Sequence, residues 1–460
     1  MGGSKNKTYR LFGTDGIRGE SNSFPIRPDI VLRVGQAMGY LLRKKPPAKK
    51  NPMVLIGKDT RLSGYMLEQA LASGLNSMGI WVQLTGPLPT PGIGFLAQNM
   101  RASAGVVISA SHNLYQDNGI KFFDERGFKI SRSVEQEIES LVFSDELDQL
   151  IAPFDRVGRS RRIDDAAGRY IVHVKNTFPL HQTLEGYRIV LDLAHGACYK
   201  VAPKIFEELG AEVFVIGNSP NGYNINDCSG TMYIEKTKQA LLQNKADVGI
   251  SLDGDGDRVI MVDETGQIVD GDHILGICAL NLQKKGELKN NKIAATSMSN
   301  MGLEMVLNKN GIQLERTDPG DRNVVEYMKK NNIFLGGESS GHIIFLHQNT
   351  TGDGCVAALN VLAVMQSENK KLSDLRSVFK SVPQIQFALP VRKKTPLDNI
   401  PGYSELIKNI ENDLSNNGRV VVRYSGTEPV VRILIEGKNK KDINSYATKI
   451  NHLLDKKLNP

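Results

Sequence analysis

The stretch MVLIGKDTRLSGYMLEQALASGLNSMGIWVQLTG, residues 53–86, decides the fold class. Its first seven residues are a short apolar run that reads as a buried strand. GYMLEQALASGLNSMG reads as a helix closed by Gly79, and IWVQLTG as a second strand. Strand, helix and strand at this spacing form a βαβ unit, which calls for parallel pairing. Upstream, PDIVLRVGQAMGYLLRKK places Ile30, Val31, Val34, Met38, Leu41 and Leu42 in a helical stripe, stopped by the Pro/Lys loop KKPPAKKNP. Downstream, AGVVIS is a further strand.

The pattern recurs twice. YRIVLDLAHGA, APKIFEELGAEV and EKTKQALLQNKADVGISLDGDGD give strand, helix, strand, helix, strand. NKIAATSMSN, GLEMVLNKNGIQLERT, RNVVEYMKKNNIFLGGESSGH and GCVAALNVLAVMQSEN give a third round. After Ser377 the texture changes to PQIQFALPV, RVVVRYSGTEPVVRILIEG and a last helix, KKDINSYATKINHLLDKK. The expectation is an α/β protein of three similar domains with mixed, largely parallel sheets, plus a smaller C-terminal α+β domain. The divisions fall at 1–160, 161–262, 263–377 and 378–460. Functional loops then belong at the C-terminal ends of strands, around a central cleft.

The chain length of 460 residues agrees with several cores rather than one. Composition, 40% hydrophobic and 23% charged, is that of a soluble globular protein. No apolar run reaches the roughly 18 residues that span a bilayer, so no membrane partner is expected. The N-terminal MGGSKNKTYRLFGTDGIRGE lacks the apolar core of a secretory signal and the spacing of a myristoylation site. Cys198, Cys228, Cys278 and Cys355 lie far apart, which excludes a C-x-x-C metal pair and points to a reducing, cytoplasmic compartment. Net charge is +7, and residues 378–460 carry 14 Lys and Arg against 8 Asp and Glu. That end expects an anionic partner; without a long basic run or interleaved aromatics, a small phosphorylated ligand is expected and nucleic acid is not.

GISLDGDGDRVIMVDE is the most informative chemical stretch. Asp253, Asp255 and Asp257 alternate with glycines between two apolar runs, so three hard oxygen donors can turn toward one point and suit Mg²⁺. An Asp-Gly hairpin turn is the competing reading. An EF-hand is excluded because Arg258 stands where that loop needs glycine and both flanks read as strands.

VVISASHNLYQDNGIKFF, residues 106–123, leaves a strand through Ser111, His112 and Asn113 and returns to apolar residues. It reads either as a nucleophile loop or as an Asx-rich turn. FLGGESSGHIIF offers Glu338, Ser339, Ser340 and His342 for hydrogen bonding and proton transfer. In VRYSGTEPVVRI, a Ser-Gly-Thr turn between Arg423 and Arg432 is a candidate phosphate cradle. LFGTDGIRGE fits no Walker loop and reads as a turn carrying Arg18; His195 in DLAHGA reads as a loop-packing residue.

GTDGIRG, SASHN…DNGIKFF, DGDGDR, GESSGH and RYSGTEP, in this order over essentially the whole chain, resemble the α-D-phosphohexomutase superfamily, and within it the branch acting on glucosamine phosphates. The resemblance implies that Ser111 carries a phosphoryl group and joins Asp253, Asp255 and Asp257 around Mg²⁺. It places Arg18, His112, Lys121, Arg258 and His342 at the reacting centre. Glu338, Ser339 and Ser340 would meet the sugar; Arg423, Ser425, Gly426, Thr427 and Arg432 would hold the distant phosphate. The implied reaction interconverts glucosamine 6-phosphate and glucosamine 1-phosphate, supplying amino-sugar precursors for cell-wall synthesis. It passes through a 1,6-bisphosphate, with glucosamine or glucose 1,6-bisphosphate as activator, in a protein that can form a homodimer.

The sequence departs from the family in two places. Leu114 stands where proline commonly follows Ser-His-Asn, and NINDCSGTMY differs from the usual form. One alternative is an enzyme of glucose or mannose phosphates. Ser339, where those enzymes often carry methionine, favours the amino sugar. The other alternative, a non-catalytic binder of phosphorylated sugar or nucleic acid, is disfavoured by the intact serine and aspartates.

Overall fold

The computed structural model describes residues 11–45, 51–425 and 429–459. Four sheets follow one another along the chain, of six, five, four and three strands. In the first, the strands Ala104–Ile108, Met53–Lys58, Trp81–Pro87 and Ser160–Arg162 are parallel neighbours, as the βαβ reading requires. Asp117–Phe123 then adds antiparallel to Ala104–Ile108, and Ile17–Glu20 antiparallel to that.

The second sheet repeats the plan. Val248–Leu252, Arg188–Asp192 and Glu212–Ile216 are parallel, and Val259–Asp263 turns back against Val248–Leu252. In the third, Gln313–Thr317, Lys292–Thr296 and Leu335–Gly337 are parallel and Ile343–Phe345 turns back. The fourth, Gln384–Pro390, Val430–Gly437 and Gly418–Tyr424, is wholly antiparallel and carries the helices Tyr403–Leu414 and Lys440–Leu458. The architecture is therefore three mixed-sheet α/β domains and a smaller C-terminal domain.

One topological detail places the chemistry. In each of the first three domains a parallel strand ends and its antiparallel neighbour begins across one short loop. These loops hold Ser111, Asp253 to Arg258, and Glu338 to His342. The corresponding hairpin of the fourth domain, after Tyr424, carries Ser425. The aspartate stretch is thus a hairpin, Leu252 pairing with Val259, and a carboxylate cluster as well.

Local chemistry explains the supporting helices. Pro28–Lys44 starts with proline in its first turn beside Asp29 and ends on Arg43 and Lys44, all favourable to the helix dipole. It buries Val31, Val34 and Met38, with Ile30, Leu41 and Leu42 at the edge. Its partner is the helix Ser63–Ser77, and glycines set their approach: a Cβ on Gly74 would lie 2.1 Å from the Leu32 carbonyl oxygen. One continuous core runs from Leu55 to Phe379 through the first three domains, whereas the fourth keeps its own core from Leu389 to Leu458.

Candidate active site

The Ser111 side chain is buried and its hydroxyl donates to Asp253 Oδ2 at 2.6 Å, joining the first domain to the second. Asp253, Asp255 and Asp257 offer carboxylate oxygens within 4.8 Å of one another, all buried. Asp255 Oδ1 and Asp257 Oδ1 are buried without a hydrogen-bond partner. Unpartnered carboxylate oxygens in a buried cluster are what a divalent cation satisfies, so the donor set fits a metal. Burial, reinforced by Asp257 and Asp255, holds the Asp253 carboxyl well above its ordinary range.

Lys121, on the strand Asp117–Phe123, donates to Asp255 Oδ2 at 2.8 Å and Asp257 Oδ2 at 3.1 Å, with Asp15 Oδ2 at 3.5 Å. Burial opposes its charge, but Asp15, Asp255 and Asp257 override that and hold the ammonium well above the usual lysine value. The same balance holds for Asp257, where burial is overcome by Lys121 and His342 and the carboxyl stays well below its usual range.

His112 Nδ1 accepts from Arg258 Nη1 at 3.0 Å. Burial, then the charges of Arg258 and Arg18, lower its pKa to about 4, so the ring is neutral at neutral pH. Arg18 is paired with Asp15 and reaches the Ala110 carbonyl at 3.4 Å. His342 is buried; Nε2 accepts from the Gly352 N–H at 3.1 Å, and Nδ1 lies 3.6 Å from Asp257 Oδ1.

Above this floor opens a cleft of about 800 Å³ between the domains. Arg18, His112, Asp257, Arg258, Glu338, His342 and Arg432 line it. Glu338 Oε1 accepts from the Gly320 N–H at 3.0 Å. Arg432 stands opposite Arg423 on neighbouring strands of the fourth sheet. Burial, then Arg432, lowers the pKa of Arg423.

Not every expected residue reaches the cleft wall. Ser111, Lys121, Asp253 and Asp255 are buried behind the wall, and Ser339, Ser340, Arg423 and Ser425 are absent from the lining too; Ser340 is exposed, and Ser425 is buried with its carbonyl accepting from Lys394 at 2.8 Å. Gly426 and Thr427 lie outside the described residues. His195 behaves as loop packing: its carbonyl accepts from Thr60 Oγ1 at 2.5 Å and its Nδ1 from the Ser219 N–H at 3.2 Å.

Sequence reasoning missed Asp15, Lys129 and Asp321. Lys129 is paired with both Asp15 and Asp321, and His342 Nε2 lies 3.7 Å from Asp321. Asp15 and Asp321 line the cleft, so this bridge between the first and third domains is part of its wall. Asp15 was visible beside Arg18 in GTDGIRG; nothing in the pattern around Lys129 distinguishes it from a surface lysine.

Comparison with known proteins agrees with this geometry. Four models of phosphoglucomutase/phosphomannomutase match in chain order: alpha/beta/alpha domain I over residues 9–149, domain II over 168–266, domain III over 270–382, and the C-terminal domain over 368–453. A phosphoglucosamine mutase of Bdellovibrio bacteriovorus is 59% identical, covering 98% of this chain and 99% of its own length. One from Syntrophotalea carbinolica is 50% identical, covering 98% of each. Among solved structures, a phosphoglucomutase/phosphomannomutase family protein of Burkholderia thailandensis shares the fold with a TM-score of 0.78 at 22% identity, over 97% of both chains. Domain by domain and over its full length, the chain belongs to the α-D-phosphohexomutase superfamily, in its phosphoglucosamine mutase branch.

Proposed function

We propose that this enzyme interconverts glucosamine 6-phosphate and glucosamine 1-phosphate, with Ser111 as the phosphoryl carrier. The observation that carries the reading is the Ser111 hydroxyl at 2.6 Å from Asp253, inside a buried cluster of three carboxylates beneath a cleft lined by Arg18, Arg258 and Arg432. The relatives named phosphoglucosamine mutase support the amino sugar over glucose or mannose phosphates.

Asp253, Asp255 and Asp257, with an oxygen on Ser111, are the groups that would hold Mg²⁺. When bound, the ion neutralises charge on the transferring phosphoryl group. The Ser111 Oγ–P bond breaks as the free sugar hydroxyl bonds to phosphorus, and the hydroxyl proton ends on the freed Ser111 Oγ, leaving a 1,6-bisphosphate. The bisphosphate turns over in the cleft and Ser111 Oγ takes the other phosphoryl group, so phosphorus and charge balance over the cycle. Either glucosamine or glucose 1,6-bisphosphate serves as activator in this scheme.

Lys121, held as an ammonium, and Arg18 and Arg258, permanently charged, would stabilise the phosphoryl oxygens. With Nδ1 engaged by Arg258 and a pKa of about 4, His112 orients rather than carries charge. Glu338 is placed for the sugar hydroxyls, with Ser339 and Ser340 beside it, and Arg423, Ser425, Gly426, Thr427 and Arg432 for the phosphate that is not reacting.

The same reading includes a cytoplasmic location, supported by four free cysteines. It also includes a homodimer, which rests on the family alone, and a basic C-terminal end that serves substrate phosphate rather than nucleic acid. No helix among the described residues is long and apolar enough to cross a membrane.

The deciding assay measures turnover of glucosamine, glucose and mannose 6-phosphates with Mg²⁺ and catalytic 1,6-bisphosphate, with Ser111→Ala alongside. The expected result is preference for the amino sugar and a loss of more than about a thousandfold in the variant. Preference for an unsubstituted hexose would reassign the substrate, and full activity of Ser111→Ala would remove the carrier.

A further inference from the structure

The serine loop is gripped from behind by two side chains outside the cleft wall. Arg61, from GKDTRLSG, has a fully buried side chain. Its Nη2 donates to the carbonyls of Ser111 at 3.0 Å and Asn113 at 2.8 Å. Its Nη1 donates to the carbonyls of Leu114 and Asp117, the latter at 3.0 Å. Asp59 fixes the guanidinium, accepting from Nε at 2.8 Å and from the Arg61 N–H at 3.0 Å. From the second domain, buried Asn226 Nδ2 donates to the same two carbonyls, Ser111 and Asn113, each at 2.8 Å.

We propose that Arg61 and Asn226 are positioning residues that fix the main chain of Ser111 for phosphoryl transfer, an inference that rests on the reading of Ser111 as carrier. Ser111 has φ +54°, a left-handed conformation that side-chain-bearing residues adopt at a cost. Something must select it. Four carbonyls on one guanidinium, two of them shared with Asn226, supply the selection. The grip also spans the seam between domains, so it sets the serine against the second domain's aspartates. There the approach is too close for any side chain: a Cβ on Gly254 would lie 2.6 Å from the Ser111 carbonyl oxygen and 2.7 Å from Asn226 Nδ2.

Lysine cannot substitute for Arg61. An ammonium is a point donor, whereas these carbonyls are arrayed around a planar fork. Neither residue lines the cleft, so substrate binding by Glu338 and Arg432 does not depend on them.

The test is steady-state kinetics of Asn226→Ala, Asn226→Asp and Arg61→Lys with glucosamine 6-phosphate, with thermal melts and Ser111→Ala in parallel. Phosphoserine formation from glucose 1,6-bisphosphate is read by intact mass. The expected result is kcat down by about tenfold to a hundredfold, the scale set by misplacing a reacting group by about 1 Å. KM should stay within about twofold, and phosphoserine should form more slowly. Wild-type kcat in Asn226→Ala and Asn226→Asp overturns the proposal. So does a rise in KM that accounts for the whole loss, or a loss that follows the fraction unfolded in the melts. If Arg61→Lys does not fold, the Asn226 pair decides. Activity in Ser111→Ala would instead sink the carrier reading, a result distinguishable from an inert Asn226.

Discussion

The two sides of the cleft are built differently. On the Ser111 side three domains share a continuous core, beside separate clusters of their own, and are cross-linked at every seam. The Val259 N–H donates to the Gly341 carbonyl at 3.0 Å, the Gly354 N–H to Gly256 at 3.0 Å, and Thr350 Oγ1 to the Gly127 carbonyl at 2.6 Å. On the Arg432 side a separate small core is joined, among the described residues, through a patch around Arg419 and Asn300. There Arg419 donates to the carbonyls of Ser297 at 2.9 Å and Ser299 at 2.5 Å and pairs with Glu436, while Asn300 reaches the Val382 carbonyl at 3.0 Å. The contrast suits the proposed chemistry. The transferring centre needs fixed distances, and the arginines that hold the distant phosphate must follow an intermediate that reverses in place.

The largest effect that would break this contrast is expected from Asp255→Asn. Removing a carboxylate whose Oδ1 has no partner should lower Mg²⁺-dependent turnover by about a hundredfold or more. Calorimetry should show weaker Mg²⁺ binding, while melts in chelator separate loss of the ion from loss of the fold. Unchanged turnover would mean the cluster is structural. On the other side, Arg432→Ala should raise KM for the sugar phosphate by about tenfold to a hundredfold. Its kcat should change by less than about threefold. If kcat falls and KM does not, the two sides are not divided as described.

Arg419→Ala tests the join. It leaves the buried Glu436 carboxylate unpaired and should cost about 2–3 kcal/mol locally, discounted for the partial exposure of Arg419. Faster hydrogen exchange confined to residues 384–458 is the expected signature, and uniform exchange across the chain would contradict it.

The smallest effect concerns Asp272, whose Oδ2 accepts from the Asn300 N–H at 2.7 Å at the root of that join. Burial, then Asp270, raises its pKa to about 7. The folded chain therefore keeps a proton that the unfolded chain releases near its ordinary value of about 3.9, so stability falls as pH rises from about 4 through about 7. Asp272→Asn should flatten that slope and gain roughly 1–2 kcal/mol at pH 8 relative to pH 5, read from melts at the two pH values. An unchanged slope would place the pH sensitivity elsewhere.

The buried cluster around Ser111 and the three aspartates was largely legible because most of its residues sit in glycine-bounded loops after apolar strands, where no packing role explains charge. Ser111, His112, Lys121, Arg258 and His342 converge as the order of motifs implied. Arg61, Lys129 and Asp321 were not legible. A buried charge and a solvated one look alike in a sequence, and each pairs with a residue distant in the chain or with backbone carbonyls. Asn226 fell in NINDCSGTMY, the segment that departed from the familiar form, so its pattern offered no guide. The two arginines around the Ser425 turn were visible in the sequence, but only Arg432 of the pair lines the cleft, and that depends on how the fourth domain is set, which local pattern does not encode.

The Lys129–Asp321 bridge has a consequence for the frame as a whole. Ser111 with Asp253 ties the first domain to the second, Val259 with Gly341 the second to the third, and Lys129 with Asp321 the third back to the first. Three bodies joined pairwise form a triangle, and a triangle cannot shear without breaking a side. When one side opens, the other two keep its ends at high effective concentration, so it recloses within the molecule instead of drifting apart. The fourth domain, joined among the described residues through the Arg419 and Asn300 patch, lies outside that triangle.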